Sequence, residues 1–135
     1  MHELAITLRA AQFHAHACHN YVSGPTFFSD HAYLGELYEA YEDAYDAVIE
    51  RIIGDGSKPD LNGFAVAAAA KASAFPTRGT DAASMFRSVL QFEEMIRKGC
   101  EKYEGDASMG EENLLQQLAD DSETRTYKLR QRLGL

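Results

Sequence analysis

Imidazole nitrogens and carboxylate oxygens, without thiolates, form a donor set suited to Fe, Mn or Zn. Both types are concentrated in the first half of this 135-residue chain. Only five histidines occur, and His16, His19 and His31 lie on either side of a Gly24-Pro25 break. On a helix turning 100° per residue, His16 and His19 sit about 60° apart, the i, i+3 spacing at which two side chains can converge. His14 falls on roughly the opposite side. It is expected to be structural or simply exposed.

The carboxylates follow the break. On a helical wheel drawn from His31, Leu34, Leu37, Tyr38, Tyr41, Tyr45, Val48 and Ile52 occupy one side, and the tyrosines read as core. The other side carries Glu36, Glu39, Glu42, Asp43, Asp46 and Glu50. His31, Glu39, Glu42, Asp46 and Glu50 share an arc of about 100°. A solvated acidic face is the plain reading. Such faces normally mix in cations, because like charges one turn apart repel. No Lys or Arg stands between Arg9 and Arg51, which favours a nearby cation.

These donors need helices to carry them. Residues 3–22 read as one amphipathic helix, ended by Gly24-Pro25. A second runs from a Thr26 cap, with Asp30 in its first turns, to about Ile53. The breaker cluster at 54–63 leads to a short Ala-rich helix over 64–75. Thr80 is a candidate cap for a third long helix reaching Tyr103, and residues 111–133 form the fourth. The expected fold is all-α: a single domain, 1–135, holding a ferritin-like four-helix bundle with a short extra helix in the long connection between helices two and three. A di-iron site inside such a bundle normally uses Glu-x-x-His on two helices. That motif is absent, and helices three and four contain no His. A site on the first two helices would most simply be completed by a second subunit.

Composition narrows the alternatives. The net charge of -8 opposes nucleic-acid phosphates and suits cations or a basic partner. No stretch approaches the roughly 18 apolar residues of a membrane span. The N-terminal residues lack a signal-peptide pattern, so a cytoplasmic location is expected. Cys18 and Cys100 form no motif and are expected to be free, reduced core thiols.

The stretch "HNYVSGPTFFSDH", from His19 to His31, resembles the signature of the Dps family (DNA-binding protein from starved cells), roughly His-Trp-x-Val-x-Gly-x-x-Phe-x-x-x-His. Val22, Gly24 and Phe27 fall in register, and "DAVIER", from Asp46 to Arg51, is similar to the family's Asp-x-x-x-Glu-Arg. Residues 112–131 resemble its final helix more weakly. The resemblance implies a hollow dodecamer with ferroxidase sites at two-fold interfaces. His19 and His31 would come from one subunit, and Asp46 and Glu50 from its mate. Fe(II) would be bound there, oxidised typically by hydrogen peroxide, and stored as ferric mineral. Acidic pores near the start of the last helix would draw on Asp106, Glu111 and Glu112, although Glu111 and Glu112 equally suit a helix N-terminus.

The chain departs from that pattern in three ways. The family's remaining aspartate ligand falls at Gly35, which weakens a helix by about 1 kcal/mol relative to Ala. His16 or Glu39 could replace it, and His16 is favoured as an otherwise unexplained imidazole. The family Trp is Asn20, leaving Tyr21 and the tyrosines of the second helix as substitutes. DNA binding is not expected, because there is no Lys-rich tail and Lys128, Arg130 and Arg132 form only a modest basic patch. Two alternatives to an iron-oxidising shell follow from Gly35: a shell binding Zn or Mn in place of iron, and an assembly protein that has lost the chemistry.

Overall fold

The computed structural model describes residues 1–135. It contains five α-helices and no strand: α1 His2–Tyr21, α2 Phe27–Gly54, α3 Leu61–Ser73, α4 Ala82–Tyr103 and α5 Met109–Leu133. A 3-10 turn over Glu104–Asp106 joins the last two. The short turn after Tyr21 folds α2 back along α1, and α5 packs on α4 in the same manner. The long α2–α4 connection carries α3, which lies against α1. The architecture is therefore a ferritin-like four-helix bundle with one short extra helix, as the periodicity predicts.

Helix ends differ in detail from the sequence expectation. Thr26 occupies the N-cap position of α2 without capping it. Its hydroxyl donates instead to Asp30 Oδ2 at 2.6 Å. The cap of α4 is Asp81, not Thr80, and its carboxylate accepts from the Ser84 N–H at 2.7 Å. Asp60 accepts from the Gly63 N–H and starts α3 three residues before the expected position. Ser108 caps α5 by accepting from Glu111 N–H. Gly24 sits at φ +111, a conformation that L side chains resist, and this fixes the turn between the first two helices.

One apolar core runs through the bundle. Leu4, Leu8, Leu34, Leu37, Phe86, Phe92, Ile96 and Leu129 are closed to solvent. Small residues on α1 (Ala10, Ala11 and Ala15) are also buried and let neighbouring helices approach. Tyr41 and Tyr45 are core residues, as expected, while Tyr38 is half-buried. Both cysteines are free and buried. Burial pushes the Cys18 thiol up to about 12 and the Cys100 thiol to about 11, so neither is a thiolate near neutral pH.

Two polar clusters interrupt this core. Glu93 of α4 is fully buried. It accepts from Arg125 Nε at 2.6 Å, from Ser122 Oγ at 2.6 Å and from the Tyr41 hydroxyl at 2.5 Å. One carboxylate thus joins α2, α4 and α5. At the end of the bundle near the α1–α2 turn, buried Asp30 accepts from Arg132 Nε at 3.0 Å and Nη2 at 2.9 Å. The Arg132 hydrogen bonds hold the Asp30 carboxyl below its ordinary range despite burial. Arg132 is thereby committed to the fold instead of standing free in a basic patch, and its guanidinium also covers Phe86.

Candidate metal centre

The last turns of α1 and the first turns of α2 flank the same tight turn, and this brings His19 against His31. Their rings stack with centroids 3.7 Å apart and planes inclined by 18°. His19 Nδ1 lies 2.7 Å from the His31 carbonyl oxygen, and His31 Nδ1 lies 2.8 Å from the His19 carbonyl oxygen. A carbonyl can only accept, so each Nδ1 carries the proton and donates it. In the neutral tautomer the lone pair is then on Nε2 of both rings. A metal-binding histidine is generally oriented in this manner, by a hydrogen bond from its other nitrogen.

The pairing also answers a need of the backbone. The last carbonyls of a helix have no partner within it. The His19 carbonyl, near the end of α1, finds one in the His31 ring. Phe27 stacks on the outer side of His31 at 4.9 Å. Tyr38 meets His19 edge-on at 5.4 Å, and His16 stacks on Tyr38 at 4.2 Å. His16 is exposed, with its ring centroid 6.4 Å from that of His19. It belongs to the same aromatic row, with its ring tilted 50° from that of His19.

The carboxylates are elsewhere on α2. At 1.5 Å per residue, Glu39 is roughly 12 Å beyond His31 along the axis, Asp46 roughly 22 Å and Glu50 roughly 28 Å. All three are exposed. No three His, Cys, Asp or Glu side chains of one chain converge as a metal-binding group. Within one chain, then, the fold assembles the imidazole half of the candidate set and holds the carboxylate half apart on an open face. Arg9, the nearest cation in sequence before the ridge, lies over the Tyr45 ring at 3.8 Å and donates to Gln12.

His14 points the other way, into the core, where it is 2% exposed. Its Nε2 lies 2.6 Å from Ser88 Oγ and 3.5 Å from Cys18 Sγ. Burial lowers its pKa to about 4, so it is neutral at physiological pH. It takes no part in the stacked pair.

The buried Glu93 cluster is the feature that the sequence reading missed. Its signal was present. Glu93 falls on the stripe Val89, Phe92, Ile96 and Cys100, while Ser122 and Arg125 continue the stripe Leu115, Leu118 and Leu129. A charge on an apolar stripe calls for a buried partner, though the spacing alone does not name which one. The centre of the bundle thus contains a carboxylate already bound to a guanidinium, which leaves it poorly suited to a metal. Burial alone would lower the Arg125 pKa, but the hydrogen bond and charge of Glu93 outweigh it, and the guanidinium stays protonated.

No curated protein sequence matches the chain. A family model described as the ferritin-like domain matches residues 3–135. That span takes in all four bundle helices, the α3 connection and the paired histidines. On the match over nearly its whole length and the bundle it folds into, the chain belongs to the ferritin-like domain family.

Proposed function

We propose that the protein is a Dps-like ferroxidase and iron-storage protein whose sites form between subunits. His19 and His31 of one subunit and Asp46 and Glu50 of the next would bind Fe(II) as substrate. The observation that carries this reading is the reciprocal histidine pair: two imidazoles held with Nε2 free, and no third donor within reach in the same chain. Half a site on one surface and its complement on another suit a two-fold interface, where each surface meets the other twice. Imidazole favours the ferrous ion and carboxylate the ferric product. Two ferrous ions give one electron each to hydrogen peroxide, which takes up two protons and leaves as two waters. The ferric ions would collect as mineral inside a hollow dodecamer, reached past Asp106, Glu111 and Glu112. His16 remains the preferred extra ligand, one helical turn from His19, with Glu39 the alternative. A change of the His16 rotamer away from Tyr38 would be required.

Gly35 favours a second reading. With no carboxylate at that position, the shell would hold Zn or Mn without turnover, or would have lost the metal chemistry.

Subunit complementation tests both. One variant carries His19→Ala and His31→Ala, the other Asp46→Ala and Glu50→Ala. Each alone should oxidise Fe(II) no faster than buffer. Mixed at equal amounts after dissociation and reassembly, they should recover about a quarter of wild-type oxidation, because each mixed pair rebuilds one of its two sites. No recovery, with wild type active, overturns the shared site. Wild type that binds metal without forming ferric product, or that binds none, establishes the second reading.

A further inference from the structure

We infer that Gly35 is a positioning residue of this metal site: its missing side chain is the seat of the His19 ring. The inference rests on the proposed role of His19 and His31 as ligands. Gly35 lies well inside α2, and it is not among the glycines with positive φ. Its own backbone therefore gives no reason for glycine, and helix propensity argues against it. The reason is in its neighbour. A Cβ at position 35 would stand 3.2 Å from Cε1 and 3.3 Å from Nδ1 of His19. Ordinary carbon contacts lie at about 3.5–4.0 Å.

The ring is poorly placed to yield. Its Nδ1–H is bound to the His31 carbonyl, its face lies on the His31 ring and its edge meets Tyr38. Moving it away from a new side chain lengthens that hydrogen bond and opens the stack. The orientation of Nε2, which would face the metal, depends on both. Any side chain at position 35, aspartate included, requires the His19 ring to shift from its present seat by a few tenths of an ångström. With Gly35, the site lacks one carboxylate of the family pattern and keeps a closely packed imidazole pair.

That shift reverses an expectation drawn from the family pattern, in which Gly35→Asp would restore a lost ligand. Here Gly35→Asp and Gly35→Ala should both weaken the site. The test compares these variants with wild type, using Co(II) titration and imidazole nitrogen–proton NMR of the metal-free protein. Expected in both variants is loss of the hydrogen-bonded His19 Nδ1–H signal and a tenfold or greater fall in Co(II) affinity. Retention of that signal together with wild-type Co(II) affinity in Gly35→Ala overturns the inference, as does tighter binding by Gly35→Asp.

A thermal double-mutant cycle with His19→Ala gives a metal-free check. Gly35→Ala should raise Tm more in the His19→Ala background than in wild type, because the ring is no longer there to be displaced. Equal shifts in the two backgrounds overturn the seat. Failure of wild type to bind Co(II) through His19 and His31 would instead overturn the proposed function, while the cycle and the NMR signal still decide the packing claim.

Discussion

Two histidines, at i and i+5 on α1, have opposite chemistry because of what surrounds them. His19 is half-buried at a helix end with its Nδ1 proton committed to a carbonyl. His14 is sealed among Phe75, Phe92, Cys18 and Ser88, with its Nδ1 unpartnered. Burial takes the His14 pKa from 6.5 to about 4. Between those values the unfolded chain binds the proton more readily than the folded one. Its contribution is therefore complete above about pH 6.5 and declines as the pH falls toward about 4, by at most about 3 kcal/mol. Urea unfolding at about pH 7 and about pH 5 should show a larger loss for wild type than for His14→Leu. Parallel loss in both proteins would mean that His14 does not titrate with folding.

At the scale of elements, one carboxylate joins three helices. Glu93 on α4 receives hydrogen bonds from Tyr41 on α2 and from Ser122 and Arg125 on α5. Removing it leaves the largely buried Arg125 guanidinium without its partner, whereas removing the Tyr41 hydroxyl leaves the ion pair whole. Glu93→Ala should cost about 3–5 kcal/mol and Tyr41→Phe only about 1–2 kcal/mol, measured by urea denaturation. Equal costs would show that the pair contributes no more than its neutral hydrogen bond. The same cluster bears on function, because it fills the centre of the bundle with a charge pair that is already satisfied. That leaves the surface carrying His19 and His31 as the place where the proposed site would form.

For the whole molecule, the decisive quantity is its exposed acidic and apolar surface. The α2 ridge exposes Glu39, Glu42, Asp43, Asp46 and Glu50 with no Lys or Arg on the same stretch. Exposed Phe28 and Met109 lie at the starts of α2 and α5. No helix is long and apolar enough to cross a membrane. Light scattering of the purified protein should give the mass of a dodecamer, and a monomer would sink the shared-site proposal. With net charge -8, duplex DNA should remain unshifted in a gel at low salt, where any phosphate contact is strongest. A salt-dependent shift would show a cationic surface that the Asp30–Arg132 pairing does not consume.

The sequence by itself determined the helices, their order and the break that brings His19 toward His31. Those properties follow from local causes: apolar spacing, Gly and Pro punctuation and the short reach of a turn. It also located Asp46 and Glu50 on one ridge, because helical pitch converts spacing into direction. It did not determine which side chain would cap a helix: the Thr26 hydroxyl is drawn to the Asp30 carboxylate, and Asp81, next to Thr80, is the one that accepts from the Ser84 N–H. Only the tertiary structure decided that His14 is buried, that Glu93 meets Arg125, and that Gly35 lies beneath an imidazole. Each depends on a second helix at a distance fixed by packing, and the spacing along one helix carries no information about what faces it.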